Sequence, residues 1–285
     1  EYAEIIAEKN KKINKLNDTL RDWYEDKTLY HFLGFLFAQK RDRKEFNFKT
    51  IWDYWQNECN TRDDFKSYLL KLIKLEVFGD KPINEVFGDG KNWYDGDNKT
   101  LVQILLLLNI IEANKQFRDK LKSNAFFKKG NDIEHIFPRN PQNPKDKVSY
   151  VSFLKKYDKN LNDEEILKSF KEKYEDAEYL REVDSFIEEY TNRIPIHSIG
   201  NLVLLYESLN RSISNNPYSY KRKKVLEFFN QGNFIQPHTL NVFARYFMNE
   251  NSSGHDLEHW TKDDITSNEE AIKNTIQEIE LDVKH

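Results

Sequence analysis

Cysteine, glycine and proline are scarce in this sequence, and each shortage excludes a class of protein. Cys59 is the only cysteine among 285 residues, so neither an intramolecular disulfide nor a thiolate zinc cluster can form. Nine glycines and seven prolines are too few for an all-β fold built on tight turns. The longest predominantly apolar stretch, residues 101–111, is too short to span a bilayer, and no signal peptide is recognisable. We therefore expect a cytoplasmic protein with no membrane partner.

Leucine, lysine, glutamate, phenylalanine and tyrosine dominate the composition, which favours helices with aromatic-rich cores. A chain of this length forms one large domain or two modest ones. Residues 29–39 and 101–111 have the apolar character of buried helices, and residues 61–64 have the spacing of a capping box. We predict a helical module over residues 1–125, in which no catalytic motif is visible.

The net charge of −4 does not indicate a nucleic-acid-binding protein, but the charge is unevenly distributed. Residues 161–190 contain eleven acidic and four basic side chains, so the rest of the chain is positive overall. Residues 221–224 form a basic run, Lys-Arg-Lys-Lys. The predicted contacts to nucleic-acid phosphates are Arg211, Lys221, Lys223 and Lys224. The alternative interpretation of this run is a solvated helix face.

The periodicity of the sequence changes after residue 130. Residues 132–138, Asp-Ile-Glu-His-Ile-Phe-Pro, alternate polar and apolar side chains and end in a proline, which predicts a short strand. In the motif at residues 199–205, Ile-Gly-Asn-Leu-Val-Leu-Leu, residues 202–205 predict a second strand, and the chain after Asn210 can form a helix. Strand, insertion, strand and helix make a ββα unit whose hairpin connection is expanded.

The second predicted domain covers residues 126–285. Its ββα core comprises residues 131–138 and 199–226, interrupted by a helical insertion over 145–193 and closed by C-terminal helices over 237–285. The predicted fold class is therefore mostly α, of the α+β type, with a helical N-terminal module before a ββα-metal core.

An acidic residue beside a histidine, followed by two asparagines, is the order of an HNH (His-Me finger) nuclease site. An imidazole can accept a proton from water near neutral pH, and Mg²⁺ prefers carboxylate and amide oxygens. Adjacent strand residues point to opposite faces, so a twist or a bulge must turn Glu134 or His135 for both to face one site.

Each candidate residue also has a simpler explanation when it is taken alone. His135 in an apolar run is typical of a hydrogen-bonded core histidine, and Glu134 is typical of a solvated carboxylate. A Gly-Asn pair at 200–201 is typical of a turn, and Asn210 of a helix cap. The joint pattern favours the nuclease interpretation.

The two motifs, together with the trailing asparagine, resemble the C-terminal nuclease half of GmrSD-type restriction enzymes. These enzymes are modification-dependent anti-phage systems, and the phosphorothioate-sensing SspE proteins share the same type of nuclease domain. Residues 23–34 are also similar to the helical region that precedes this domain. The resemblance implies a metal-dependent endonuclease that cuts double-stranded DNA, in particular modified phage DNA.

The resemblance also implies a role for each matching residue. His135 would be the general base, and Asn201 would hold the hairpin and orient that histidine. Glu134 and Asn210 would bind a divalent cation, Mg²⁺ or Mn²⁺. Asp132 would be a supporting carboxylate. Apart from the resemblance, His197 lies close to the second strand and could hydrogen-bond within the site, although its position favours a structural role.

The family's N-terminal nucleotide-binding sensor domain has no counterpart in this sequence, because no Gly-rich phosphate loop or Walker motif is present. The single methionine is Met248, and the chain opens inside a helical pattern. We therefore expect a fragment of a longer protein, whose sensor domain lies elsewhere.

Two other functions remain open. A non-catalytic DNA-binding or assembly module would carry the same motifs in a degenerate site. Residues 255–259, His-Asp-Leu-Glu-His, have the H-x-x-E-H spacing of inverted zinc metallopeptidases, although their polar setting favours a turn.

Overall fold

The computed structural model describes residues 2–39, 47–88, 91–96, 98–116, 119–127, 130–139, 194–245 and 259–282. The helices of the N-terminal part are α1 (Tyr2–Glu25), α2 (Lys27–Gln39), α3 (Phe48–Asn57), α4 (Arg62–Phe78), α5 (Ile83–Val86) and α6 (Asn98–Gln116). Those that follow are α7 (Glu207–Ile213), α8 (Tyr218–Asn230), α9 (Pro237–Ala244) and α10 (Lys262–Asp282). The predicted insertion at 145–193 and most of the 255–259 motif lie outside the described residues.

Local sequence signals account for several helix boundaries. Thr61 and Asp64 form the predicted capping box, in which the Asp64 backbone N–H donates to Thr61 Oγ1 and the Thr61 N–H donates to Asp64 Oδ2. Residues 101–111 of α6 are all buried, as their predominantly apolar character predicts. Within the described residues, no helix combines the length and the apolar character needed to cross a membrane.

Two short strands form the sheet of the described chain. β1 (Asn131–His135) pairs antiparallel with β2 (Leu202–Tyr206), so that Asn131 lies opposite Tyr206 and His135 lies opposite Leu202. Helix α7 begins directly after β2, which gives the strand, strand, helix order of the predicted core. The predicted fold class, mostly α with a small antiparallel sheet, is confirmed.

The sheet lies between two hydrophobic cores. Leu202 and Leu204 pack in a core formed mainly by α2, α4 and α6, whereas Val203 and Leu205 pack in a second core with α7, α8 and α9. Strand alternation explains this division, since successive side chains point to opposite faces. The first core contains residues from both sides of position 125, and the predicted division into two domains at that position stays a prediction.

A 3₁₀ turn at Ile199–Asn201 leads into β2 and packs tightly on α10. A Cβ atom on Gly200 would overlap the Ile265 carbonyl oxygen and lie 2.8 Å from the Glu269 backbone nitrogen. The Asn268 side chain also donates to the Gly200 carbonyl oxygen over 2.9 Å. Glycine is therefore required here by the close approach of two backbones.

A Gly200→Ala variant is expected to lower the free energy of unfolding by about 1–3 kcal/mol, because backbone atoms of α10 cannot yield to the new methyl group. Urea denaturation of the whole chain measures this loss. Gly88→Ala is the matched control, since the nearest atom to its Cβ would be 3.7 Å away, an ordinary contact. Equal losses in the two variants would contradict the proposed packing constraint.

Candidate active site

Asn201 fixes the backbone that follows β1. Its Oδ1 accepts from the Phe137 N–H over 2.7 Å, and its Nδ2 donates to the carbonyl oxygens of Phe137, over 3.1 Å, and Ile196, over 2.9 Å. Its own backbone oxygen accepts from the Ile136 N–H. The residue is completely buried, and its side-chain bonds all go to backbone groups. Asn201 thus ties the turn before β2 to the two residues after His135.

The imidazole of His135 lies at the end of β1 against a second imidazole. His135 Nε2 is 3.2 Å from His197 Nδ1, and His197 Nε2 is 3.5 Å from Asp95 Oδ2. The Tyr94 ring contacts both imidazoles, with centroid distances of 4.5 Å to His135 and 5.6 Å to His197. Tyr94 and Asp95 come from the loop between α5 and α6, about forty residues before β1 in the chain.

Burial keeps His135 neutral. Desolvation lowers the pKa of His135 to about 3, and the positive charges of Lys221 and Arg139 act in the same direction, as does His197. The Asp95 carboxylate opposes this shift. His135 Nδ1 has no hydrogen-bond partner within the described part of the chain. At physiological pH the ring therefore has an unprotonated nitrogen that can accept a proton.

Glu134 is paired with a lysine from α8. The Lys221 ammonium donates to Glu134 Oε1 and, over 2.6 Å, to the His135 carbonyl oxygen. The Lys221 side chain is fully buried, and that of Glu134 is 13% exposed. Burial raises the pKa of the Glu134 carboxyl, and the Lys221 charge opposes that rise. The prediction that Lys221 contacts nucleic-acid phosphates is therefore wrong, because its ammonium is enclosed and bound to β1.

The side chains of Glu134 and His135 lie on opposite faces of the sheet. Residues 131–135 pair one-to-one with residues 206–202, which leaves no bulge in this ladder. Glu134 lies opposite Val203 and contacts α8, whereas His135 lies opposite Leu202 and contacts His197 and Tyr94. A twist or a bulge was predicted to bring Glu134 and His135 to one face, and this strand pair contains no bulge.

The remaining predicted site residues surround this strand pair. Asn210 lies on α7, whose N-terminal residue donates its backbone N–H to the Gly130 carbonyl oxygen next to β1. Asp132 lies opposite Leu205 and is half-buried. No group of three His, Cys, Asp or Glu side chains suited to a metal ion occurs in the described ranges.

Three of the four predicted phosphate-binding side chains reach the surface. Arg211 pairs with Glu207 on α7, and its side chain is 74% exposed. Lys223 and Lys224 lie near Glu227 on α8, with 74% and 39% of their side chains exposed. These cations are placed where a polyanion could reach them, and their contact with DNA stays a prediction.

Sequence reasoning missed the roles of Tyr94, Asp95 and Lys221. The first two belong to a polar turn with no local signal that links it to His135. A signal for Lys221 did exist, because Tyr218, Lys221 and Val225 recur at helical spacing and are the buried residues of α8. A cation within such a face requires an anionic partner.

Fold and site together describe a mostly helical protein whose small antiparallel sheet carries a neutral histidine at a strand end. The chain belongs to the family of GmrSD restriction endonucleases, C-terminal domain, whose model matches residues 81–275. The predicted resemblance to this family is thereby confirmed. Neither the curated proteins nor the solved structures contain a significant match to the chain. Membership of the family implies nuclease activity on DNA.

The matched region begins ahead of the loop that carries Tyr94 and Asp95. It therefore includes both strands, the two histidines and the basic part of α8. The predicted relation to the SspE proteins stays a prediction.

Proposed function

We propose that this chain hydrolyses phosphodiester bonds in double-stranded DNA as an HNH-type endonuclease that depends on Mg²⁺ or Mn²⁺. The observation that carries the proposal is the neutral His135 at the end of β1, with an unpaired Nδ1 in the described part of the chain. It stands in a strand, strand, helix unit of a restriction-endonuclease family. The biological setting that we propose is modification-dependent defence against phage DNA, with a nucleotide-binding sensor domain as the partner.

His135 would act as the general base. A neutral imidazole can take a proton from water, which makes the water a better nucleophile towards phosphorus. Approach of a phosphodiester brings negative charge to the site, and this charge raises the pKa of His135 towards the range in which the ring both accepts and releases protons. Asn201 supports this role by fixing the backbone of the two residues that follow.

Glu134 and Asn210 are the proposed cation ligands. Lys221 occupies Glu134 Oε1, and Oε2 has no hydrogen-bond partner within the described residues. One carboxylate oxygen and one amide oxygen fit Mg²⁺, which keeps several waters and needs few protein ligands. The bound cation would supply positive charge that stabilises the phosphate and the leaving oxygen in the transition state. Asp132, two residues before Glu134 in the strand, is proposed as a supporting carboxylate.

Arg211, Lys223 and Lys224 are the proposed contacts to the DNA backbone, because they are the exposed cations of the predicted set. Arg139 adds a further positive charge near the two histidines, since it lowers the pKa of both. These four side chains would hold the duplex by its phosphates without reading its sequence.

A non-catalytic DNA-binding or assembly module is the second candidate function. The observation that favours it is the separation of Glu134 and His135 on opposite faces, with an ammonium already bound to the carboxylate. Such a domain would bind DNA through the same cations and would leave it uncut. The peptidase alternative has no support from the described residues, among which His259 alone represents the 255–259 motif.

We expect the chain, supplied together with its sensor domain, to cut phage DNA with modified bases when Mg²⁺ or Mn²⁺ is present. Chelation with EDTA should abolish cutting, because no divalent cation then stabilises the negative charge of the phosphate in the transition state. Agarose-gel analysis of supercoiled and linear substrates distinguishes nicked from fully cut products. Protein carrying His135→Ala, purified in parallel, controls for contaminating nucleases. Bound but intact DNA under every metal condition would favour the non-catalytic module.

A further inference from the structure

The loop at residues 91–96 is anchored in the fold and reaches the candidate site. Trp93 is completely buried, and its backbone N–H donates to the His197 carbonyl oxygen over 3.0 Å. Lys91 covers the Trp93 ring at 3.6 Å from its centroid. The two residues that follow Trp93 therefore have a defined position beside the histidine pair. Both contact His197, one through its ring and one through its carboxylate.

The Asp95 carboxylate is held by its own turn. Its Oδ2 accepts from Asn92 Nδ2 over 3.2 Å, and its backbone N–H donates to Asn92 Oδ1 over 3.0 Å. The same Oδ2 is the atom that lies 3.5 Å from His197 Nε2. A negative charge at this position attracts the positive end of an N–H dipole. It therefore favours the form of His197 that carries its proton on Nε2.

The protonation of one ring determines that of the next. When His197 is protonated on Nε2, its Nδ1 is a lone-pair acceptor. His135 Nε2, 3.2 Å away, then carries the proton and donates it to His197 Nδ1. A neutral imidazole has only one N–H, so the proton of His135 is absent from Nδ1. His135 Nδ1 therefore keeps its lone pair, which has no hydrogen-bond donor among the described residues.

We propose that Asp95 is a positioning residue for His135, acting through His197 to place the free lone pair on His135 Nδ1. This inference rests on the proposed function for its catalytic meaning, since His135 is the proposed base. Tyr94 assists by packing against both rings, which restricts their rotation. Asp95 is half exposed, so water partly screens the electrostatic effect of its carboxylate on His197. Its loss should therefore reduce the fraction of the preferred tautomer without unfolding the site.

The tautomers of the two histidines can be observed directly by long-range ¹H–¹⁵N NMR on the whole chain. The chain has seven histidines, and spectra of His135→Gln and His197→Gln assign the two signals of interest. We expect both rings to be Nε2-protonated in the unaltered protein. Asp95→Asn should reduce the Nε2-protonated fraction of both. Unchanged tautomers in Asp95→Asn, or an Nδ1-protonated His135 in the unaltered protein, would overturn the inference.

Cleavage kinetics with modified phage DNA and Mg²⁺ test the catalytic consequence. We expect Asp95→Asn to lower kcat about three- to tenfold, with KM unchanged, because the affected group acts on the base and not on DNA binding. Asp95→Glu, which restores the carboxylate, should recover most of the rate. Asp80→Asn is the matched control, since it removes the same charge from an exposed turn and should leave kcat unchanged. Equal rates for Asp95→Asn and Asp80→Asn would contradict the positioning role.

The two readouts separate this inference from the proposed function. Suppose that both rings are Nε2-protonated and that Asp95→Asn changes their tautomers, but that the protein leaves DNA intact. This result would support the positioning role of Asp95 and refute the nuclease mechanism. If the protein cleaves DNA, and if neither the tautomers nor the cleavage rate change in Asp95→Asn, the nuclease function is supported and the positioning role of Asp95 is refuted.

Discussion

Replacement of His135 by alanine is expected to lower the rate of DNA cleavage by about 10²–10⁴-fold, the contribution typical of a positioned general base. His135 has the buried, neutral imidazole that the proposed mechanism requires, and its Nδ1 is unpaired in the described chain. DNA affinity should change little, because the proposed backbone contacts lie on other side chains. Single-turnover cleavage and a separate binding titration measure the two quantities.

Two controls distinguish lost chemistry from lost structure in the His135→Ala variant. The alanine leaves a space beside His197, so added imidazole should partly restore cleavage if the missing group is a base. His31→Gln changes a buried histidine in the N-terminal part, where Nδ1 contacts Asn114 Oδ1 and Nε2 accepts from the Leu121 N–H. This variant should lose stability while its folded fraction cuts DNA at the normal rate. Full cleavage by His135→Ala would refute the proposed role.

Replacement of Lys221 by methionine is expected to lower the free energy of unfolding by about 3–5 kcal/mol, because it leaves the buried Glu134 carboxylate without the lysine ammonium that pairs with it. The His135 carbonyl oxygen loses a hydrogen bond in the same change. Lys223→Met is the matched control on the same helix; its side chain is 74% exposed, and its effect should stay within about 0.5 kcal/mol. Urea denaturation near neutral pH measures both.

The pH dependence of the Lys221→Met variant provides a second test. Burial already raises the pKa of Glu134, and loss of the opposing ammonium raises it further. A carboxyl whose pKa is higher in the folded protein than in the unfolded chain costs stability when it is ionised, as pH rises through the folded value. The deficit of the variant should therefore be largest at neutral pH and shrink on acidification. A double variant, Glu134→Leu with Lys221→Met, should regain most of the lost stability.

Features determined by neighbouring residues could be predicted from the sequence. The capping box at Thr61 and the buried helix at 101–111 depend on side chains within a few positions of each other, and both are present. The strands at 131–135 and 202–206 follow from alternation and from short apolar runs.

Features determined by distant packing could not be predicted. The contact of Asp95 with His197 joins two polar turns about one hundred residues apart, and the sequence of neither turn predicts contact with the other. The basic run at 221–224 suggested a surface charge at every position, but helical geometry turns Lys221 inward to Glu134. The free energy of an enclosed charge depends on its partner, which a local pattern does not reveal.

The pairing of residues 131–135 with 206–202 has a consequence for how the protein folds and diversifies. Its strands are separated by more than sixty residues, so their hydrogen bonds form only after a long segment of chain has been closed. The entropy of closing a loop grows slowly, by about 0.6 kcal/mol for each doubling of its length. Segments inserted between these strands can thus lengthen or shorten during evolution with little energetic penalty, whereas a shift of one residue in the pairing would exchange the surroundings of Glu134 and His135.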